Sequence, residues 1–172
     1  MTLRVAIGGL GAIGLALARA LDAGVPGLAL GPVAVCDRAR AEKMLADFRD
    51  PPLLTDLAGL AAANIVVEAL PAALFPAITE PAISAGRIFV PCSVGALLAR
   101  MDLVEQARRT GARIIVPTGA LFGLDAARAA AEDDIASVAL ETRKPPAGLA
   151  GGACRRGLPV RLISWHAAST SV

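Results

Sequence analysis

Cysteine and histidine are nearly missing from this chain. Cys36, Cys92 and Cys154 are odd in number and far apart, which excludes a disulfide framework. Neither they nor the single histidine, His166, fall at metal-ligand spacing, so no metal site is expected. Cys36 and Cys92 stand in apolar stretches and read as small buried hydrophobes rather than reactive thiols. Long hydrophobic runs are also lacking. No uncharged stretch is longer than the 14 residues of Val5–Ala18, short of the roughly 20 that a bilayer span needs. No basic segment, apolar stretch and cleavage site precede the first strand at Leu3, so the expectation is a cytoplasmic chain without an export signal. Acid is missing from one end only. Through Glu141 there are 12 Lys and Arg against 15 Asp and Glu, a net of −3, and from Thr142 onward five basic residues and no acid. The basic residues of that tail, such as Arg155, Arg156 and Arg161, are too few and too scattered among apolar neighbours to read as a nucleic-acid arm. No internal repeat or low-complexity linker is visible.

What remains is an apolar chain of 172 residues, 55% hydrophobic, enough for one well-filled core and the start of another. Strands and helices alternate along it. The expected strands are Leu3–Ile7, Pro32–Asp37, a short one through Leu53–Leu54, Ile65–Leu70, Arg87–Cys92 and Ala112–Pro117. Between them are expected helices over Ala12–Ala23, Ala39–Phe48, a stretch starting near Thr55, and Met101–Thr110, which Gly111 closes. Pro71, Pro76 and Pro81 are expected to cut the crossover after Leu70 into short helical pieces. Asp125 is placed to cap a further helix through about Ala131.

The strands are near-continuous apolar runs, as in a parallel sheet covered by helices on both faces. Right-handed crossovers then give an α/β, doubly wound parallel sheet of the Rossmann type, with its ligand crevice at the carboxyl ends of the strands. Val138, Leu140 and Thr142 instead alternate with Ala139, Glu141 and Arg143, the period of a strand with one wet face. The expected organisation is a nucleotide-binding domain over 1–134 and the start of an incomplete α+β second domain over 135–172.

Chemistry concentrates at the strand ends. Leu3–Gly14 is an apolar strand running into Gly9-x-Gly11-x-x-Gly14 and then a helix. A dinucleotide's pyrophosphate needs main-chain amides that it can approach closely at the positive end of a helix dipole. Gly9 permits the tight turn, Gly11 removes a side chain that would block the phosphates, Ala12 and Ile13 open the helix, and Gly14 lets helix and strand pack closely. Asp37 ends the second strand, where a carboxylate accepts from both adenosine ribose hydroxyls and repels a 2′-phosphate. Arg38 follows, able to offset that repulsion or stack on adenine, so NAD is favoured over NADP only mildly. Asp37 also reads as an N-cap for the next helix. Glu68, inside an apolar strand, is costly unless paired or facing a cleft; a structural ion pair and a role beside the nicotinamide ribose fit it equally. In Ser93-Val94-Gly95, small residues let a backbone approach a planar ring, or simply make a loop.

In order, Gly9–Gly14 (GLGAIG), Val66–Leu70 (VVEAL), Ser93–Leu97 (SVGAL), Pro117–Ala126 (PTGALFGLDA) and Thr142–Pro146 (TRKPP) resemble the L-aspartate dehydrogenase family over residues 3–150. Thr118 stands where that family has Ser, and Phe122 where it has Gly, which would narrow the pocket. The resemblance implies hydride removal from Cα of aspartate to NAD or NADP. The iminoaspartate product hydrolyses to oxaloacetate and ammonia or feeds NAD biosynthesis. It further implies that Ala120 contacts the nicotinamide end. Arg143 and Lys144 are suited to hold substrate carboxylates or to pack and solvate the domain junction. The family's catalytic histidine and a cofactor-contacting asparagine lie beyond the TRKPP run. The 22 residues after Ala150 do not match that part, and no motif surrounds His166, so no catalytic residue is assigned. A tail of altered charge and aromatic usage is what premature termination or a reading-frame shift would leave. The alternatives are a module that binds NAD(H) without turnover, and a related reductase of the homoserine or dihydrodipicolinate type. A homo-oligomer is expected, through the edge and apolar face of the Val138–Thr142 strand. L-Aspartate is the expected small-molecule partner, with no nucleic acid and no membrane.

Overall fold

A computed structural model describes residues 1–118 together with Ala129 and Glu132. The chain divides into two units, Met1–Phe122 and Gly123–Val172. Ala120, Cys154, His166, the Asp125 helix, the alternating strand, Arg143, Lys144 and the boundary near residue 135 lie outside the described residues.

Six strands form one parallel sheet: β1 (Leu3–Gly8), β2 (Leu28–Ala34), β3 (Leu54–Thr55), β4 (Ile65–Glu68), β5 (Ile88–Pro91) and β6 (Arg113–Ile114). Their order is β3-β2-β1-β4-β5-β6, with every neighbouring pair parallel. The direction of winding reverses between β1 and β4. A doubly wound sheet opens its ligand crevice at that point.

Side-chain alternation explains why the strands read as unbroken apolar runs. Ala6, Val66 and Phe89 face one core with Ile78, Ile83 and Leu103. Val5, Ile7 and Val67 face the other with Leu21, Val33 and Leu45. The first core is covered by α3 (Phe75–Ser84) and α5 (Asp102–Thr110), and the second by α1 (Ala12–Ala23) and α2 (Arg38–Leu45). Phe75 meets Phe89 edge-on, with ring centroids 5.9 Å apart, the arrangement that aromatic quadrupoles favour.

Helix α1 has the bounds expected from its sequence. Several other elements do not. β2 starts four residues before Pro32 and stops short of Asp37. Its pairing with β1 steps from Val5↔Leu30 to Ile7↔Val33, so the proline sits inside the strand at a register shift. Proline is tolerated at such a bulge, where a regular ladder bond is already lost. β4, β5 and β6 are each shorter than their apolar runs, and α2 ends at Leu45 rather than Phe48. The helix expected near Thr55 is only a 3-10 turn, Ala58–Ala62.

Pro71 and Pro76 do break the crossover, into a 3-10 turn at Ala72–Leu74 and then α3. Pro81, expected to divide it again, lies inside α3. Phe75, Ile78, Thr79, Ala82 and Ile83 are all buried from this helix, and their packing outweighs the one hydrogen bond that proline removes. Ser93-Val94-Gly95 is not a plain loop: Ser93 is the N-cap of α4 (Val94–Leu98).

At the surface, α3 and α5 are joined by Arg100, whose guanidinium bonds Glu80 at 3.0 Å and Asp102 at 2.8 Å. The hydrogen bond from Arg100 holds the Asp102 carboxyl below its ordinary value. A depressed carboxyl contributes stability above its unfolded pKa and loses it as pH falls through the folded one. Asp102→Asn should therefore lower the Tm slightly at pH 7, by an amount that shrinks as pH falls below the ordinary carboxylate range. Scanning calorimetry across that range checks it. The effect is small because the pair is solvated.

Candidate functional site

The turn between β1 and α1 is built by two close approaches. Gly9 has φ +94°, and a Cβ there would lie 2.5 Å from the Ala69 carbonyl oxygen. A Cβ on Gly14 would lie 1.9 Å from the Gly9 carbonyl oxygen, so no side chain fits where α1 crosses the turn. Main-chain bonds from Gly9 N to Ala34 O and from Ala69 N to Gly8 O, 2.8 and 2.9 Å, tie the turn to the ends of β2 and β4. Gly11 differs from both. A Cβ at Gly11 would meet nothing within 4 Å among the described residues, so no packing there accounts for a glycine. It is the N-cap of α1, which has no side-chain cap and no acidic residue in its first turn. The first amides of the helix, including those of Ala12 and Ile13, lack intrahelical acceptors and supply positive potential.

Two hollows open along this turn. One, of about 350 Å³, lies over the ends of β1 and β2 and is lined by Gly9, Gly11, Asp37, Arg40, Met44 and Pro71 among others. The other, of about 290 Å³, reaches the ends of β4 and β5 and is lined by Gly11, Ala12, Ile13, Ala69, Cys92 and Ser93 among others. They share Gly11, Ala69 and Leu70, which makes them one crevice with the uncapped helix end at its middle. The shape suits an elongated ligand with an anionic centre, and the donor set fits a pyrophosphate.

The model of the homoserine dehydrogenase NAD-binding domain family matches residues 9–117, from the first glycine of the turn to just past β6. The chain belongs to that family. As an NAD-binding domain it also has close full-length relatives. It is 52% identical over 150 residues to the L-aspartate dehydrogenase of Bradyrhizobium diazoefficiens, covering 87% of this chain and 53% of that protein. To L-aspartate dehydrogenase 3 of Bordetella bronchiseptica it is 46% identical over 151 residues, covering 87% and 56%. The chain thus spans about half the length of the curated relatives it matches. Among solved structures, the fold is shared with biliverdin reductase from Synechocystis, at TM-score 0.59 and 22% identity over 76% of this chain and 43% of that one. An NAD binding oxidoreductase from Klebsiella pneumoniae matches at TM-score 0.57 and 23% identity over 68% and 34%.

Within this NAD-binding domain the residues singled out from sequence fall into three groups. Gly9, Gly11, Ala12, Ile13, Asp37 and Ser93 line the crevice, and Gly14 is buried beneath it. Asp37 lies three residues beyond β2 and caps α2, its Oδ1 accepting from Arg40 N at 2.9 Å. Its other oxygen takes no donor among the described residues. Arg38 does not line the crevice. Its guanidinium donates to the Leu54 carbonyl of β3 at 3.2 Å. Arg40, Ala41 and Met44 take its place on the crevice face. Their helical spacing from Asp37 was the available signal, but it appears only once Asp37 is known to begin a helix. Val94 and Gly95 are exposed in the first turn of α4 and do not line the hollow.

Glu68 makes no ion pair among the described residues and does not line the crevice. It is fully buried behind the wall. Its Oε1 accepts from Leu70 N at 2.9 Å and from the Ser93 hydroxyl at 3.0 Å, and its Oε2 accepts from Ser93 N at 2.9 Å. One carboxylate therefore fastens the residues after β4 to the start of α4. The cysteines depart from expectation. Cys36 is exposed because β2 ends before it, and Cys92 is half-buried. The Cys92 thiol is pushed up, first by burial and then by the Glu68 charge.

Among the described residues no three His, Cys, Asp or Glu side chains form a metal-holding group. No helix there is long and apolar enough to cross a membrane.

Proposed function

We propose that this chain is the nucleotide-binding half of an L-aspartate dehydrogenase, acting in the cytoplasm on L-aspartate. Gly11 carries the reading, because its missing side chain leaves a path to the helix amides that folding alone does not require. The 52% identity to an L-aspartate dehydrogenase supports the substrate. In this reading the Gly11, Ala12 and Ile13 backbone holds the pyrophosphate. Asp37, with one oxygen on the α2 cap, accepts from the adenosine ribose, and Arg40 borders the same hollow. A carboxylate next to the ribose favours NAD over NADP, while Arg40 moderates that preference. Ser93 borders the nicotinamide side together with Cys92. Ala120 is assigned to the nicotinamide end by the family resemblance alone. The nicotinamide cofactor supplies the hydride acceptor, so that aspartate and NAD+ yield iminoaspartate, NADH and a proton. A homo-oligomer belongs to the same proposal, supported by the alternating pattern of Val138–Thr142.

The experiment is calorimetric titration of the full chain with NAD+, run beside Gly11→Val. The variant should lower the Tm by no more than the small cost of a poorer N-cap, since a Cβ there meets no described residue, and lose at least about tenfold in NAD+ affinity by obstructing the helix amides. Unchanged affinity would remove the pyrophosphate from this turn. NADH formation with L-aspartate, measured on the same protein, separates a dehydrogenase from a module that binds without turnover.

A further inference from the structure

Resting on that reading of the crevice, we propose that Glu68 makes the hollow at the ends of β4 and β5 select the oxidised, positively charged nicotinamide ring over the reduced, neutral one. The side chain is fully buried, yet all three of its partners are donors: two main-chain amides and the Ser93 hydroxyl. That set suits an ionised carboxylate. Among the described residues no cation lies within salt-bridge distance of it. A buried charge without a counter-charge is weakly screened, so its potential extends beyond its own hydrogen bonds.

The direction of that reach follows from the fold. Glu68 is flanked by Ala69 and Leu70 in sequence and by Ser93 and Cys92 across the β4–β5 pairing, and these four residues wall the hollow. Every described residue lining the hollow has an uncharged side chain, and the only positive feature among them is the α1 N-terminus, which in this reading faces the pyrophosphate. The potential already acts at the wall, where it adds to burial in raising the Cys92 thiol. The Ser93 hydroxyl reinforces the same sense. Its hydrogen has two acceptors within the protein, Glu68 Oε1 at 3.0 Å and the Leu70 carbonyl at 3.3 Å. With its hydrogen engaged inside the protein, the Ser93 oxygen is suited to receive a ligand N–H or O–H rather than to donate to an anion. Both features favour a cationic ring with a hydrogen-bond donor attached.

Calorimetry on the full chain tests this with four ligands: NAD+, NADH, the uncharged isostere benzamide adenine dinucleotide, and ADP-ribose. NAD+ should bind more tightly than both the isostere and NADH by roughly five- to thirty-fold, the range for two charges at partly screened distances. Equal affinity for NAD+ and the isostere overturns the selection while leaving the dinucleotide reading intact. Absence of heat with all four ligands overturns that reading, and the selection with it. Glu68→Gln, if folded by circular dichroism, should bring the NAD+ to isostere ratio near one with ADP-ribose affinity unchanged. A ratio held at the wild-type value overturns the assignment to Glu68. The wild-type comparison needs no variant, so a misfolded Glu68→Gln does not remove the test.

Discussion

Gly14→Ala should destabilise the domain by about 3 kcal/mol or more, lowering the Tm by about 10 °C. The added methyl would stand 1.9 Å from the Gly9 carbonyl oxygen and 3.2 Å from Ile7 Cγ2. The nearer obstacle is backbone, not the end of a flexible side chain. Relief therefore means moving α1 off the turn, and α1 carries Ala18 and Leu21 in the core. The turn cannot yield instead, since Gly9 N is bonded to Ala34 O and a Cβ at Gly9 would itself meet Ala69. Thermal unfolding beside Gly11→Ala makes the contrast sharp. Gly11→Ala has open space around the new methyl and should cost about 1 kcal/mol or less, the difference between two N-cap residues. Equal Tm values for the two variants would show that α1 does not rest on this turn as described.

The second large effect is Glu68→Leu. Leucine matches the volume roughly but accepts no hydrogen bond, leaving the Leu70 and Ser93 amides without their carboxylate partner behind the crevice wall. Each buried amide left unsatisfied costs about 1–3 kcal/mol, so the loss should be about 2–5 kcal/mol. Denaturant unfolding measures it. Ser93→Ala removes only the hydroxyl and keeps both amide bonds, so it should lose about 1 kcal/mol. If Glu68→Leu unfolds at the wild-type midpoint, the carboxylate does not brace the β4 and β5 ends.

The two variants mark where the chain was legible before its fold was known and where it was not. The opening strand, turn and helix are read residue by residue because their determinants are local. The positive φ of Gly9 and the contact of Gly14 with Gly9 belong to the turn itself, and the apolar runs on either side have the periods of a strand and a helix. The parallel order of the strands follows from alternation and from the handedness of crossovers. Helix α5 is equally local, with Asp102 in its first turn, Arg108 and Arg109 in its last and Gly111 at φ +76° after it. β2 differs from its expected bounds by several residues because Pro32 has the look of a strand start. Only the pairing with β1 reveals a bulge that admits it. Pro81 looked like a break because the five buried side chains that hold α3 together are recognised only against Phe89 and Leu103. Cys36 reads as buried because the apolar run carries the expected strand past Ala34, where β2 ends.

From the sequence alone came a doubly wound parallel sheet, a glycine turn open to phosphate and Asp37 as a carboxylate at the second strand's end. These depend on periodicity and on backbone geometry within a dozen residues. Tertiary structure decided what the neighbouring charges do. It turned Arg38 to β3 and set Arg40 on the crevice, because the cap at Asp37 fixes the phase of α2. It gave Glu68 partners 25 residues away in sequence, so that a charge with no legible purpose in its strand became the brace between two strand ends. A residue's chemical type is a local property. The donors that meet it are set by which strand lies beside it.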